Sequence, residues 1–243
     1  MQHVRFRDPA GSIRNGRWSD GTVSFGGSEY DAERVTILAP TDPSKIVCVG
    51  LNYADHAAET GKDVPDRPML FLKPPNAVSH HGSTVTLPAG KERIDYEAEF
   101  GVVIGEQCRH VDESVAMDVV AGFTCGVDLS NRDDQRVEQN WVRGKAFDNA
   151  SPLGPTLATP DEVPDDAGVK LYLNGELRQD SSREEFIFDV PALIAEITTY
   201  MTLEPGDVIL TGTPAGVGAL SDGDTITVEI DGIPPLEHSV EIP

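Results

Sequence analysis

The sequence predicts a mainly β protein with a few helices, an α+β chain in which one large domain follows a small N-terminal β segment. Three observations carry this expectation. Short apolar runs of strand length, bounded by Gly, Pro, Asn and Asp, recur along the whole chain. One of them, DYEAEFGVVIG at 95–105, alternates strictly: Glu97, Glu99, Gly101 and Val103 share one face, and Tyr96, Ala98, Phe100, Val102 and Ile104 share the other. Helical patterning is confined to a few short stretches, chiefly YADHAAET and the segment 190–201.

From the start, QHVRF, SIRNGRW, TVSFGG and RVTIL read as short strands of a β appendage, 1–42, tied to the rest by the Pro-bearing connector APTDPSK. The main domain, 43–243, opens with KIVCVGLNY, an apolar strand ending at Gly50. YADHAAET follows as a short helix, and TGKDVPDRP, polar with two prolines, reads as a mobile loop. MLFLKPPNAV is a strand stopped by Pro74 and Pro75. His80 and His81 fall in a loop, because neighbours on an extended chain point opposite ways and make a poor ligand pair. After the acid strand, MDVVAGFTCGVDLS leads from a helix end into another apolar run, and VEQNWVRGKAF is a loop or short helix. KLYLNGELRQ is a hairpin turning at Asn174-Gly175. Asp189 can cap the helix at about 190–201. Pro205-Gly206 then turns into a strand at 207–210, and DTITVEIDGIPPLEHSVE pairs two strands around Asp231-Gly232.

A formal net charge of −22 argues against nucleic acid or an anionic membrane surface as a partner. No run approaches the roughly eighteen apolar residues of a membrane span, and the first residues lack the apolar centre of a signal peptide. Cys48, Cys108 and Cys125 are odd in number and scattered, with no disulfide framework or zinc motif, so a cytoplasmic location is expected. Only six of the 19 basic residues are Lys. A carboxylate-rich, Lys-poor surface is tolerable where salt screens it, so a halophilic, haloarchaeal source is expected, with an ordinary acidic protein as the other reading.

Five features bear on chemistry. Glu97 and Glu99 lie side by side on one strand face, a geometry suited to a hard divalent cation. With 41 acidic residues, however, roughly seven acid-x-acid triplets arise by chance, so the pair alone identifies nothing. His56 and Glu59, three residues apart on a helix face, make a general base for water or merely a surface His beside an acid. Asp128 in GVDLSNRD ends an apolar run, as a third oxygen ligand or as a turn residue, with Arg132 close behind. Lys145 in RGKAFD is either a fixed positive charge near a site or a solvated lysine. LTGTPAGVG at 210–218 offers amides and hydroxyls to an anion, or simply turns on its glycines. Its spacing fits neither a dinucleotide fingerprint nor a P-loop.

Together, GLNYADHAAE, PMLFLKPPNAV, IDYEAEFGVVIG, GFTCGVDLSNRD, GKAFDNASPLGP and LEPGDVILTGTPAGVG resemble the fumarylacetoacetate hydrolase family in content and order, over nearly all of 45–243. The resemblance implies a mixed β-sandwich roll, a homodimer, and one Mg²⁺ or Mn²⁺ held by Glu97, Glu99 and Asp128. Ca²⁺ also suits an all-oxygen ligand set. It further implies that His56 and Glu59 are a catalytic dyad on a lid, that Lys145 is the site lysine, and that Gly212 and Thr213 hold a carboxylate. Within the same strings it places Asn52, Tyr53, Lys73, Arg132 and Asp148 among the substrate contacts. Leu51 and Val127 depart from the family's pattern, where Arg and Asn occur in other members, and leave the substrate open.

The implied substrate is a small 2-oxo acid whose 2-oxo group, polarised by the metal, serves as an electron sink when a bond to C3 breaks. Hydrolysis of an acylpyruvate or fumarylacetoacetate-like C–C bond, or isomerisation of a 2-hydroxymuconate-like diacid, is the leading expectation, both consistent with aromatic catabolism. Oxaloacetate decarboxylation or tautomerisation and sugar-acid dehydration are the alternatives. A non-enzymatic cation-binding protein is the competing class, and it gives the His56/Glu59 pair and the TGTP loop no purpose.

Overall fold

The computed structural model describes residues 2–61 and 63–243. It contains twenty strands and four α-helices among the described residues, so the mainly β expectation holds. The helices are α1 (Ala54–Thr60), α2 (Arg132–Gln135), α3 (Val142–Lys145) and α4 (Val190–Tyr200). None is long and apolar enough to cross a membrane. The stretch 63–69 between α1 and the next strand has no regular structure, as its two prolines require. Lys62, in the same expected loop, lies outside the described residues.

A mixed sheet of twelve strands forms one layer. Its centre runs Gln2–Arg7, Ser151–Ala158, Val120–Val127, Ala98–Ile104, Val208–Leu210, Ile46–Val49 and Leu70–Lys73. The second layer is a five-stranded sheet built on the Gly168–Leu173 and Glu176–Ser182 hairpin, which turns at Asn174-Gly175 with both residues at positive φ. Phe100 and Phe123 of the large sheet, Val169, Leu171 and Val228 of the smaller one, and Leu193 and Ile197 of α4 share the principal core. Asp189 caps α4 by accepting from the Ala192 amide. The N-terminal strands keep a small cluster of their own, Val4, Phe6, Val23 and Ile37, while His3 pairs with Leu157 of the large sheet.

The acid stretch departs from the expected single strand. Ile94–Tyr96 and Ala98–Ile104 belong to different sheets, and Glu97 is the joint between them. The local hydrogen bonds explain the break. The Ala98 amide donates to the Gln179 side chain at 2.9 Å, and the Glu97 carbonyl accepts from the Asp128 amide at 2.9 Å. Alternation survives beyond the joint: Phe100, Val102 and Ile104 enter the principal core, whereas Val103 enters a second core with Ile46, Val208 and Leu210. Both faces are therefore buried, and the acid face is not an open one. His80 also differs from expectation. It ends a short strand, Val78–His80, that runs parallel to Ser151–Leu153, and its ring donates to the neighbouring His81 carbonyl.

Candidate metal centre and active site

Glu97 at the joint, Glu99 two residues on, and Asp128 at the end of Val120–Val127 are brought together because the Val120–Val127 and Ala98–Ile104 strands are neighbours, with Ala98 opposite Val127. Their carboxylate oxygens lie within 4.8 Å of one another, and all three residues are buried. They form one wall of a cavity of about 670 Å³.

Three cations neutralise two of these acids. Lys145, at the end of α3, places its ammonium 2.7 Å from Glu97 and 2.5 Å from Asp128, and it also donates to the Ser130 hydroxyl. Lys73 approaches Asp128 from behind at 2.6 Å. Arg132 pairs with Glu97 and, at 2.7 Å, with Asp95, which also receives Arg93 at 2.8 Å. Burial works to raise the Glu97 carboxyl, but the Lys145 and Arg132 charges outweigh it and hold that carboxyl well below the usual range. Burial likewise disfavours the Lys145 ammonium, and the Asp128 and Glu97 charges reverse the effect.

Glu99 stands apart. Among the described residues its one hydrogen-bond donor is the Gly212 amide at 2.7 Å, and no cation contacts it. Burial first, and then the Asp128 and Glu97 charges, push its carboxyl well above the ordinary value. A divalent cation bound among the three groups relieves that repulsion, and the all-oxygen donor set suits Mg²⁺, Mn²⁺ or Ca²⁺, so the residues present fit the implied metal. Gly212 is required where it is. Its φ is +97°, and a Cβ there would lie 3.0 Å from the Asn52 Cβ.

His56 and Glu59 of α1 line the same cavity, with His56 Nδ1 3.1 Å from Glu59 Oε2. The Gly216 amide, in the glycine-rich loop, donates to the Glu59 carboxylate at 3.2 Å and so ties α1 to that loop. Phe71, Met69 and Trp141 supply an apolar wall. The Phe71 and Trp141 rings meet edge to face at 5.4 Å, and the Lys145 ammonium lies 5.1 Å from the Phe71 ring centre.

Of the seven expected substrate contacts, only Arg132 lines the cavity. Asn52 is fully buried, and its amide is spent on the Thr211 and Phe188 backbone, bracing the glycine-rich loop. Tyr53 is buried against Phe186, with its hydroxyl unpartnered among the described residues. Lys73 serves Asp128, and Asp148 is exposed and accepts from Asn76. The Gly212 amide holds Glu99, and the Thr213 hydroxyl accepts from Gln179 at 2.9 Å. Leu51 and Val127 are core residues away from the cavity. Asp95, Ser130 and Gln179 escaped the sequence reading, as did the lining residues Arg93, Arg136, Met69, Phe71 and Trp141. Asp95 was visible in principle, since Arg93 and Asp95 at i and i+2 share a strand face.

A β-sandwich that brings an acid triad able to hold a divalent cation, a buried lysine and a His/Glu pair to one small cavity has the layout of an enzyme site. Residues 45–241 match the family profile described as fumarylacetoacetate (FAA) hydrolase C-terminal, and the chain belongs to that family of hydrolases and isomerases. It is 43% identical over 218 residues to mitochondrial oxaloacetate tautomerase FAHD2B of Bos taurus, covering 85% of this chain and 69% of the relative. Among solved structures it is similar to 5-carboxymethyl-2-hydroxymuconate delta-isomerase from Mycobacterium smegmatis, at 37% identity and TM-score 0.91, over 100% of this chain and 99% of that one. It is also similar to fumarylpyruvate hydrolase from Pseudomonas aeruginosa in complex with Mn²⁺ and pyruvate, at 30% identity and TM-score 0.77, over 93% and 99%. Relatives come from archaea, bacteria and eukaryotes, so membership does not support a haloarchaeal source.

Proposed function

We propose that the protein is a divalent-metal-dependent enzyme acting on small 2-oxo acids, by hydrolysis of an acylpyruvate-type C–C bond or by isomerisation of a 2-hydroxymuconate-like diacid. The observation that carries this reading is the uncompensated Glu99 carboxylate within 4.8 Å of Glu97 and Asp128, in a cavity that His56 and Lys145 also line. Glu97, Glu99 and Asp128 would hold Mg²⁺ or Mn²⁺, and the chemistry the ion supplies is Lewis-acid polarisation of a 2-oxo group. Lys145 keeps a permanent positive charge beside developing negative charge on the substrate. His56, oriented by Glu59, takes a proton from water in hydrolysis or from carbon in isomerisation. The Glu59 contact to Gly216 holds α1 over the cavity and limits access of bulk water. Oxaloacetate tautomerisation is the second reading, favoured by the 43% identity to the bovine tautomerase.

The test is a turnover screen with Mg²⁺ and Mn²⁺ against acylpyruvates, oxaloacetate and hydroxymuconate-type diacids. Metal-dependent turnover of any of these supports the reading. Metal binding with no turnover, and no effect of losing His56, Glu59 or Lys145, would leave a plain cation-binding protein. We further propose a homodimer, checked by light scattering, with 1–42 a separable appendage of the catalytic domain 43–243, checked by limited proteolysis. A halophilic source rests on composition alone, and a melting curve that does not fall on dilution of KCl removes it.

A further inference from the structure

The cavity's charges balance only in part. Five carboxylates line it (Glu59, Asp95, Glu97, Glu99 and Asp128), and four cations do so (Arg93, Arg132, Arg136 and Lys145). Lys73, behind Asp128, brings the cations to five. A divalent ion in the acid triad therefore leaves a positive surplus, one charge over the lining alone and two with Lys73, which an anionic ligand reduces.

The engagement of the cations locates the surplus. Arg93 and Arg132 are held by Asp95 and Glu97, and Lys145 by Glu97 and Asp128. Arg136 alone among the four makes no side-chain hydrogen bond or ion pair among the described residues, although it lines the cavity. It is exposed, immediately follows α2, and its amide donates to the Arg132 carbonyl, so it stands one helical turn beyond Arg132. At a rise of 1.5 Å per residue, that turn carries it about 6 Å further along the helix than the arginine contacting Glu97.

We propose that Arg136 is a specificity-determining residue that receives the far carboxylate of a dicarboxylic 2-oxo acid whose near end occupies the acid-triad end of the cavity. This rests on the 2-oxo acid reading above. The apolar wall of Met69, Phe71 and Trp141 suits the carbon chain between two such anionic ends. A guanidinium with no competing partner gives up no protein contact when it takes a carboxylate, and its planar fork matches that group.

The test is calorimetric binding of 2-oxoglutarate and of 2-oxopentanoate, equal in chain length and differing in the far carboxylate. Mn²⁺-loaded wild-type protein, Arg136→Gln and Arg136→Lys are compared at one fixed KCl concentration. Wild type is expected to bind the diacid roughly tenfold more tightly than the monoacid, the scale of one charge-assisted hydrogen-bonded contact. Arg136→Gln is expected to lose that preference with its monoacid affinity unchanged, and Arg136→Lys to keep part of it. A preference that survives Arg136→Gln, or two acids bound equally by wild type, overturns the role of Arg136 and leaves the 2-oxo acid reading standing. Binding of neither acid to the Mn²⁺-loaded wild type overturns both.

Discussion

Lys145→Met should destabilise the metal-free protein far more than the metal-loaded one. Lys145 is 3% exposed, and its ammonium contacts Glu97, Asp128 and Ser130. Removing one partner of a buried ion pair costs about 3–5 kcal/mol. Here Lys73 still faces Asp128 and Arg132 still faces Glu97, so the low end, about 3 kcal/mol, applies. In a domain of this size 1 kcal/mol moves Tm by about 2–4 °C, which gives a fall of about 6–12 °C in chelator. A divalent cation supplies positive charge to the same carboxylates, and ligand binding to the native state adds stability by mass action. Saturating Mn²⁺ should therefore raise Tm more in Lys145→Met than in wild type, while turnover stays low because the fixed charge beside the substrate is gone. Thermal scans of both proteins in EDTA and in Mn²⁺ read this directly. An unchanged Tm in EDTA, or an equal deficit with and without Mn²⁺, would refute the reasoning.

Two further outcomes follow from the structure. His56→Ala should lower hydrolysis by about 10²–10⁴-fold while Mn²⁺ affinity and Tm stay near wild type, since His56 lines the cavity and pairs with Glu59 of its own helix; full hydrolytic activity would remove His56 as the base. His238 is buried in Ile233–Glu241 with neither ring nitrogen hydrogen-bonded among the described residues, and burial pushes its pKa down to about 4. The unfolded chain then binds the extra proton between about pH 6.5 and 4, so this contribution to stability is complete above pH 6.5 and lost as pH falls towards 4. The window spans about 3 kcal/mol, of which about 2 kcal/mol is gone at pH 5. Urea unfolding of wild type and His238→Leu at pH 7 and pH 5 should show the variant losing less stability by that amount, and parallel losses would contradict it.

Much of the site was legible because its parts carry local signatures. Glu97 and Glu99 are two apart on a strand, Asp128 ends an apolar run, and His56 and Glu59 share a helical turn. The tertiary bonds carried no such mark. Lys73 reads as a strand's last residue before Pro74, and its placement on Asp128 depends on two chain segments 55 residues apart meeting in one sheet. Asn52 lies in the GLNYADHAAE string beside the His56/Glu59 pair, yet its amide braces Thr211 and Phe188, more than 130 residues away. The strand Ser151–Ala158, which links the N-terminal strands to the centre of the large sheet, was hidden by Pro152 and Pro155, residues that argue against a central strand. The break at Glu97 was equally hidden, because the side chain that takes the Ala98 amide belongs to Gln179.

Whether Glu97, Glu99 and Asp128 hold one divalent cation is read out by Mn²⁺ titration of wild type against Glu99→Gln. The glutamine oxygen can still accept from the Gly212 amide, and no cation loses its partner, so the fold should survive the change. One Mn²⁺ per chain is expected for wild type, with affinity falling by more than about 100-fold in Glu99→Gln, beyond the 10 to 100-fold cost of losing an outer-shell partner. Unchanged affinity and stoichiometry in a folded Glu99→Gln would contradict the account.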